Sequence, residues 1–146
     1  MQWNPQIALA VFIGLVATVE DLIRREIPNW IPVVALTGGI VASTWISGWS
    51  GLGSSLLGAV LGFAVFLVFY LLGGMGGGDV KLMAGLGAVL GASRILEASL
   101  WTAALGGLFA LGAIGFGALR KNGERMKHIP YAPAITLGAW VALIPK

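Results

Sequence analysis

Asp79 is approached through five glycines, in the string Gly73-Gly74-Met75-Gly76-Gly77-Gly78-Asp79-Val80-Lys81. Long apolar runs flank it on both sides. Its carboxylate therefore falls at or near the end of a hydrocarbon-spanning segment, where an ionised acid is costly and usually has a task. A second acid, Asp21, closes the first apolar run of the chain. Two carboxylates sharing one site have a definite chemistry. Like charges a few ångströms apart do not both ionise, so the pair holds one proton near neutrality. The ionised member takes a proton from water, and the water attacks a carbonyl carbon. The protonated member donates to the carbonyl oxygen and then to the departing amine. Which acid holds the proton is a property of the coupled pair. The glycines allow φ > 0 and leave an open backbone edge beside the acid, where an extended peptide could add as a strand.

Each acid also has a plainer reading. Aspartate just before a helix is a good N-cap. Serine, threonine or asparagine would cap equally well, however, and none needs Gly76-Gly77-Gly78 in front of it. Asp21 could be a solvated acid at a span end, beside Glu20 and within reach of Arg24 or Arg25. Glu20 competes for the partner role; adjacent residues point about 100° apart on a helix, and spacing leaves that choice open. Lys81 follows Asp79 by two, which puts it on another face as an interfacial positive charge. His128 reads as solvated or lipid-facing. Ser54, Ser55 and Ser99 have no placed base, and with no Cys the chain has no thiol nucleophile, disulfide or zinc–thiolate site. No metal and no cofactor is implied.

The elements that must hold these acids follow from composition. The chain has 146 residues, 58% hydrophobic and 10% charged, with a mean hydropathy of +0.91. Soluble domains carry roughly 25% charged residues, so an all-α integral membrane protein is expected, as a single transmembrane domain over 1–146. With spans of roughly 17–25 residues, six apolar segments can be placed, near 5–23, 30–47, 52–72, 80–95, 99–119 and 132–144. The glycine-rich loop precedes the fourth. Asn29 is expected to cap the second helix, with Pro32 tolerated in its first turn. Arg94 and Glu97, three apart, could pair.

Arg24, Arg25, Lys81, Arg120, Lys121, Arg125 and Lys127 then fall on one side, and Arg94 and Lys146 on the other. The basic side should be cytoplasmic and the N-terminus outside. The net charge of +3 thus speaks to topology, and to contact with anionic lipid, rather than to nucleic acid. The first run ends in Glu20-Asp21 with no small-residue cleavage site, so it is expected to be retained as a span. Gly58 with Gly62, and Gly87 with Gly91, suit close helix packing. Trp3, Trp30, Trp49 and Trp101 suit interfacial anchoring.

The string from Gly76 to Ala84, GGGDVKLMA, resembles the second aspartate block of type IV prepilin peptidases, and its GxGD core resembles that of intramembrane aspartyl proteases generally. Asp21-Leu-Ile-Arg-Arg-Glu-Ile-Pro-Asn29 resembles their first block, and this selects Asp21 over Glu20. Ile129-Pro130-Tyr131-Ala132-Pro133 resembles their last. The resemblance covers nearly the whole chain. It implies an aspartic endopeptidase of the plasma (inner) membrane, with Asp21 and Asp79 catalytic and Gly76, Gly77, Gly78, Pro28, Asn29, Lys81 and Pro130 supporting the site. The implied partner is a prepilin or prepilin-like substrate, cut at the cytoplasmic face before its apolar N-terminal helix. The large bifunctional enzymes carry an N-terminal cytoplasmic insert and paired CxxC motifs; this sequence has neither, and its length is more like that of the tight-adherence (Flp) pilus peptidases. N-methyltransferase activity is therefore not expected. The competing reading is a small transporter or pilus-assembly scaffold whose acids cap helices or carry protons.

Overall fold

The computed structural model describes residues 4–119 and 129–144. Trp3, Arg120, Lys121, Arg125, Lys127, His128 and Lys146 lie outside the described residues. Within them the chain is all-helical, as expected: α1 (Pro5–Arg24), α2 (Trp30–Leu71), α3 (Gly77–Leu90), α4 (Ala92–Leu119) and α5 (Ala132–Leu143).

α1 begins where its sequence says it should. Asn4 Oδ1 accepts the Gln6 N–H at 3.0 Å, and Pro5 takes the first helical position, where its missing N–H costs nothing. The helix stops at Arg25, which turns left-handed at φ 54° and donates its N–H to Asp21 O at 2.9 Å.

α2 is too long to be one rod. It breaks at Gly48, with φ 59° and ψ −138°, into limbs 30–47 and 49–71. A Cβ on Gly51 would strike the Ser43 carbonyl, which shows how tightly the chain folds back. Both limbs clasp α3. Pro32 and Ala35 meet Gly85, and Gly39 meets Ala88, so the first limb runs parallel to α3; Gly58 meets Gly87 and Gly62 meets Met83, so the second runs antiparallel. At these crossings backbone touches backbone, since lipid provides no hydrophobic drive between helices and small residues let dispersion act at short range. Ser55 Oγ adds a buried hydrogen bond to Ala88 O at 2.7 Å. α3 is accordingly buried almost all round, with Val80, Leu82, Met83, Leu86 and Val89 in the core.

The fourth helix differs from its expected bounds of 80–95. It starts at Gly77 and ends at Leu90, where Gly91 takes φ 77°, a conformation glycine adopts without a Cβ penalty. Ser54 Oγ then accepts the Ala92 N–H at 3.2 Å, and α4 begins at Ala92 rather than 99. Gly91 marks the break in the sequence, with Ser93 and Arg94 directly beyond it. α1, α2 and Ala92–Phe116 of α4 are long and apolar enough to cross a bilayer. α3, with 14 residues, is about 21 Å long at 1.5 Å per residue, short of a hydrocarbon core of about 30 Å.

α5 packs antiparallel to both α1 and α4. Thr136 Oγ1 donates to Gly14 O at 3.0 Å and meets Thr18 Oγ1 at 2.9 Å, while Gly138 lies against Thr102 and Ala98.

The glycine crossings yield a direct test. Gly87→Val and Gly58→Val each drive a side chain into backbone and should lower stability by at least about 1–3 kcal/mol. Gly53, with nothing within 4 Å of a built Cβ, should accept Ala with neutral effect or a gain of up to about 1 kcal/mol. Thermal unfolding in detergent distinguishes the two classes.

Candidate active site

The buried residues of α1 are Ala10, Ile13, Gly14, Ala17 and Asp21. They recur at three and four residues and so share one face. Asp21 is the last member of that inward stripe, and only 7% of it is exposed. Its Oδ2 accepts the N–H of Ala132 at 3.0 Å. Ala132 is the first residue of α5, where amides lack a partner in their own helix and the helix dipole favours negative charge. Glu20, one residue back, instead lies 3.0 Å from Arg24 on its own helix. That contact is one of charge rather than an aligned hydrogen bond.

Asp79 is the third residue of α3, 8% exposed. Its Oδ2 accepts the Gly76 N–H at 3.2 Å, while its own N–H donates back to Gly76 O at 3.2 Å. This is the acidic half of a capping box. The cap position is therefore Gly76 and not Asp79. Gly77 and Gly78 lie within the first helical turn, so the loop shortens to 72–76. Of the three glycines before the acid, only Gly76 keeps an extended backbone, at φ −82° and ψ 157°. The expected open strand edge therefore narrows to that residue.

α1 packs on α3, the link after α1 reaches the start of α3 through Ile27 on Gly78, and the carboxylates are close enough for the charge of one to act on the other. Two buried acids, each held by a backbone amide at a different helix start, can share a proton and act on a bound water.

Residues 8–111 match the family model described as the Type IV leader peptidase family. The chain belongs to that family. Among its relatives, the prepilin leader peptidase/N-methyltransferase of Aeromonas salmonicida (strain A449) is 33% identical over 150 residues, covering 97% of this chain and 50% of the relative. The protein of the same name from Bacillus subtilis (strain 168) is 35% identical over 138 residues, covering 92% and 54%. The preflagellin peptidase of Methanococcus voltae is 33% identical over 79 residues, covering 52% and 34%. The chain spans about half the length of the first of these. No solved structure matches at a significant level.

In this leader peptidase family member, the remaining expected site residues are placed as follows. Pro28 and Asn29 lie in the link between α1 and α2, and Ile27 of that link packs on Gly78, with its Cβ 3.3 Å from where a Gly78 Cβ would sit. Asn29 stands at the start of α2 but does not cap it: its backbone is already helical. Its Oδ1 instead accepts from Lys81 Nζ at 3.0 Å. Lys81 is exposed and ties the link to α3 from the outer side, on a different face from Asp79. Pro130 is half-buried two residues before Ala132. The serines are occupied by backbone: Ser55 as above, Ser99 Oγ on Ile95 O at 2.7 Å, and Ser54 under Ala92. Sequence reasoning missed the two amides that hold the acids. Pro133, in the first turn of α5, was the available signal for one, since proline there marks a helix start.

The packing around Gly78 generates a paired prediction. Gly77, whose built Cβ meets only Tyr70 at 3.7 Å, should accept Ala with processing intact. Gly78→Val pushes the Ile27 link off α3 and should lower substrate processing at least about tenfold, the size of effect expected when misplacement disturbs a site. Processing assays beside thermal unfolding separate lost geometry from lost fold.

Proposed function

We propose that this chain is an aspartic endopeptidase that removes the leader from prepilin or prepilin-like proteins, with Asp21 and Asp79 activating water. The observation that carries the reading is the burial of both carboxylates, near enough for the charge of one to act on the other. One proton is shared between them. The ionised acid deprotonates a water for attack on the scissile carbonyl, and the protonated acid donates to the carbonyl oxygen and then to the amine. The peptidase half of the relatives' names supports this, and the reading covers that half alone.

Arg24, Arg25 and Lys81 lie at the acid end and Arg94 beyond Gly91 at the other, a distribution that favours a cytoplasmic active site in the inner membrane with the N-terminus outside. A substrate whose basic leader stays in the cytoplasm and whose apolar helix lies in lipid would present its junction at that level.

A second reading has its own support. Both acids accept helix-start amides, so each could be purely a structural cap in a transport or assembly protein. Asparagine separates the two, because its side-chain oxygen still accepts an N–H but cannot serve in proton transfer. Asp21→Asn and Asp79→Asn should each lower cleavage by about 10²–10⁴-fold while the protein remains folded in membranes. The readout is the precursor-to-mature shift of a coexpressed prepilin-like substrate. Undiminished processing by either variant would overturn the assignment.

A further inference from the structure

α3 stops short of its neighbours at the end away from the acids. Gly39 lies against Ala88, so Ser47, eight residues on along the first limb of α2, stands about 12 Å past that level at 1.5 Å per residue. α3 itself ends at Leu90, only about 3 Å past it. The recess left beyond Leu90 is a cavity of about 430 Å³, within the range of roughly 300–1,000 Å³ that takes small molecules. Its walls are mainly polar, with Gln6 from α1, Ser43, Ser50 and Ser54 from the two limbs of α2, and Arg94 from α4. Among the described residues no Asp or Glu lines it.

The donors there are not used up. Gln6 Nε2 donates to Ser43 Oγ at 2.9 Å, and the Ala92 N–H donates to Ser54 Oγ at 3.2 Å, so each hydroxyl still has its own proton to give. Arg94 is exposed, and no ion pair holds it among the described residues. Its guanidinium fork is therefore open to an anion. The end of α3 and the start of α4 meet at Gly91, so their opposite dipole ends offset one another. The net charge of the cavity is that of Arg94. Val89 and Leu90 also line it, and the last carbonyls of a helix have no partner within that helix. A cation and two hydroxyl donors thus stand beside carbonyls that suit a ligand hydroxyl. Trp45 and Trp49 flank the Gly48 break at this same end, 88% and 87% exposed. Tryptophan of membrane proteins concentrates at the headgroup level, which puts the cavity at the depth of lipid phosphates.

We infer that this cavity binds an anionic phosphate ester bearing a hydroxyl group, the chemistry of a phosphoglycerol lipid headgroup or of free glycerol phosphate. Arg94, Ser43 and Ser54 take the phosphate, and the end of α3 takes the hydroxyl. The site is separate from Asp21 and Asp79 and stands whatever those acids do.

The full chain in nonionic detergent is titrated with phosphatidylglycerol or with phosphatidylcholine of the same acyl chains, and bound lipid is counted by native mass spectrometry. One saturable site should prefer phosphatidylglycerol at least about tenfold, because choline has no donor for the carbonyls and sets a second cation beside Arg94. Arg94→Gln should weaken that site at least about tenfold, the scale of a lost charge-assisted pair. Ser50→Phe, which adds bulk at an exposed wall, should weaken it likewise without changing charge. Arg25→Gln removes one charge at the acid end and should leave the site as tight as before. Added glycerol phosphate distinguishes the two sources: displacement of the lipid shows that the free ester fits alone, and no displacement shows that the acyl chains are needed, and either result keeps the site. Equal binding of the two lipids, undiminished phosphatidylglycerol binding by Arg94→Gln or by Ser50→Phe, or equal weakening by Arg25→Gln overturns the assignment.

Discussion

A backbone amide at the start of a helix has no partner within that helix, and away from water only the protein can supply one. In this chain the N-terminal ends of α3 and α5 come to the same end of the bundle, and a carboxylate answers an amide at each. Asp79 accepts from Gly76, and Asp21 accepts from Ala132. This one arrangement explains how two acids can be more than nine-tenths buried within an apolar protein. Each takes a hydrogen bond from an amide that would otherwise be unpaired, and each lies at the positive end of a helix dipole. Capping and chemistry are therefore not alternatives at the level of contacts. The same bonds that place the oxygens would serve either role.

The arrangement needs α3 at a fixed depth, and glycine contacts determine that depth. Gly58 on Gly87, Gly62 on Met83, Gly39 on Ala88 and Gly85 on Pro32 lock α3 between the limbs of α2 with backbone against backbone. A sliding motion would have to lift every one of these contacts together. At the acid end, Ile27 on Gly78 and Lys81 on Asn29 extend the clasp to the link that follows α1. Asp21 is consequently positioned from two sides, by α5 through its carboxylate and by the link through its own chain.

Much of this was legible before any coordinates. Composition and apolar runs identified a helical membrane protein, and the glycine string before Asp79 and the Ile-Pro-Asn turn after Asp21 pointed to the two acids. The choice between Glu20 and Asp21 was made by resemblance alone; the structure then puts Asp21 on the buried face of α1 with Ala10, Ile13, Gly14 and Ala17. The helix break at Gly91 was missed because a lone glycine is common in membrane helices, and the span was carried past it to Ile95. The assignment of Asn29 as a cap was wrong because Lys81, 52 residues away, offers its side chain a partner. Gly77 and Gly78 were read as loop because glycine is a poor helix former. Packing against Ile27 and the bond from Gly76 to Asp79 override that preference.

The division has a physical basis. What the sequence alone determined was what depends on local composition and spacing: membrane residence, the approximate helices, the turn at Gly48, and the two acids as residues out of place in lipid. What only the tertiary structure decided was which groups from distant segments meet: the amide of Ala132 on Asp21, and α3 held between both limbs of α2. Such meetings depend on how helices pack, and helix packing is set by contacts between residues that no local pattern relates.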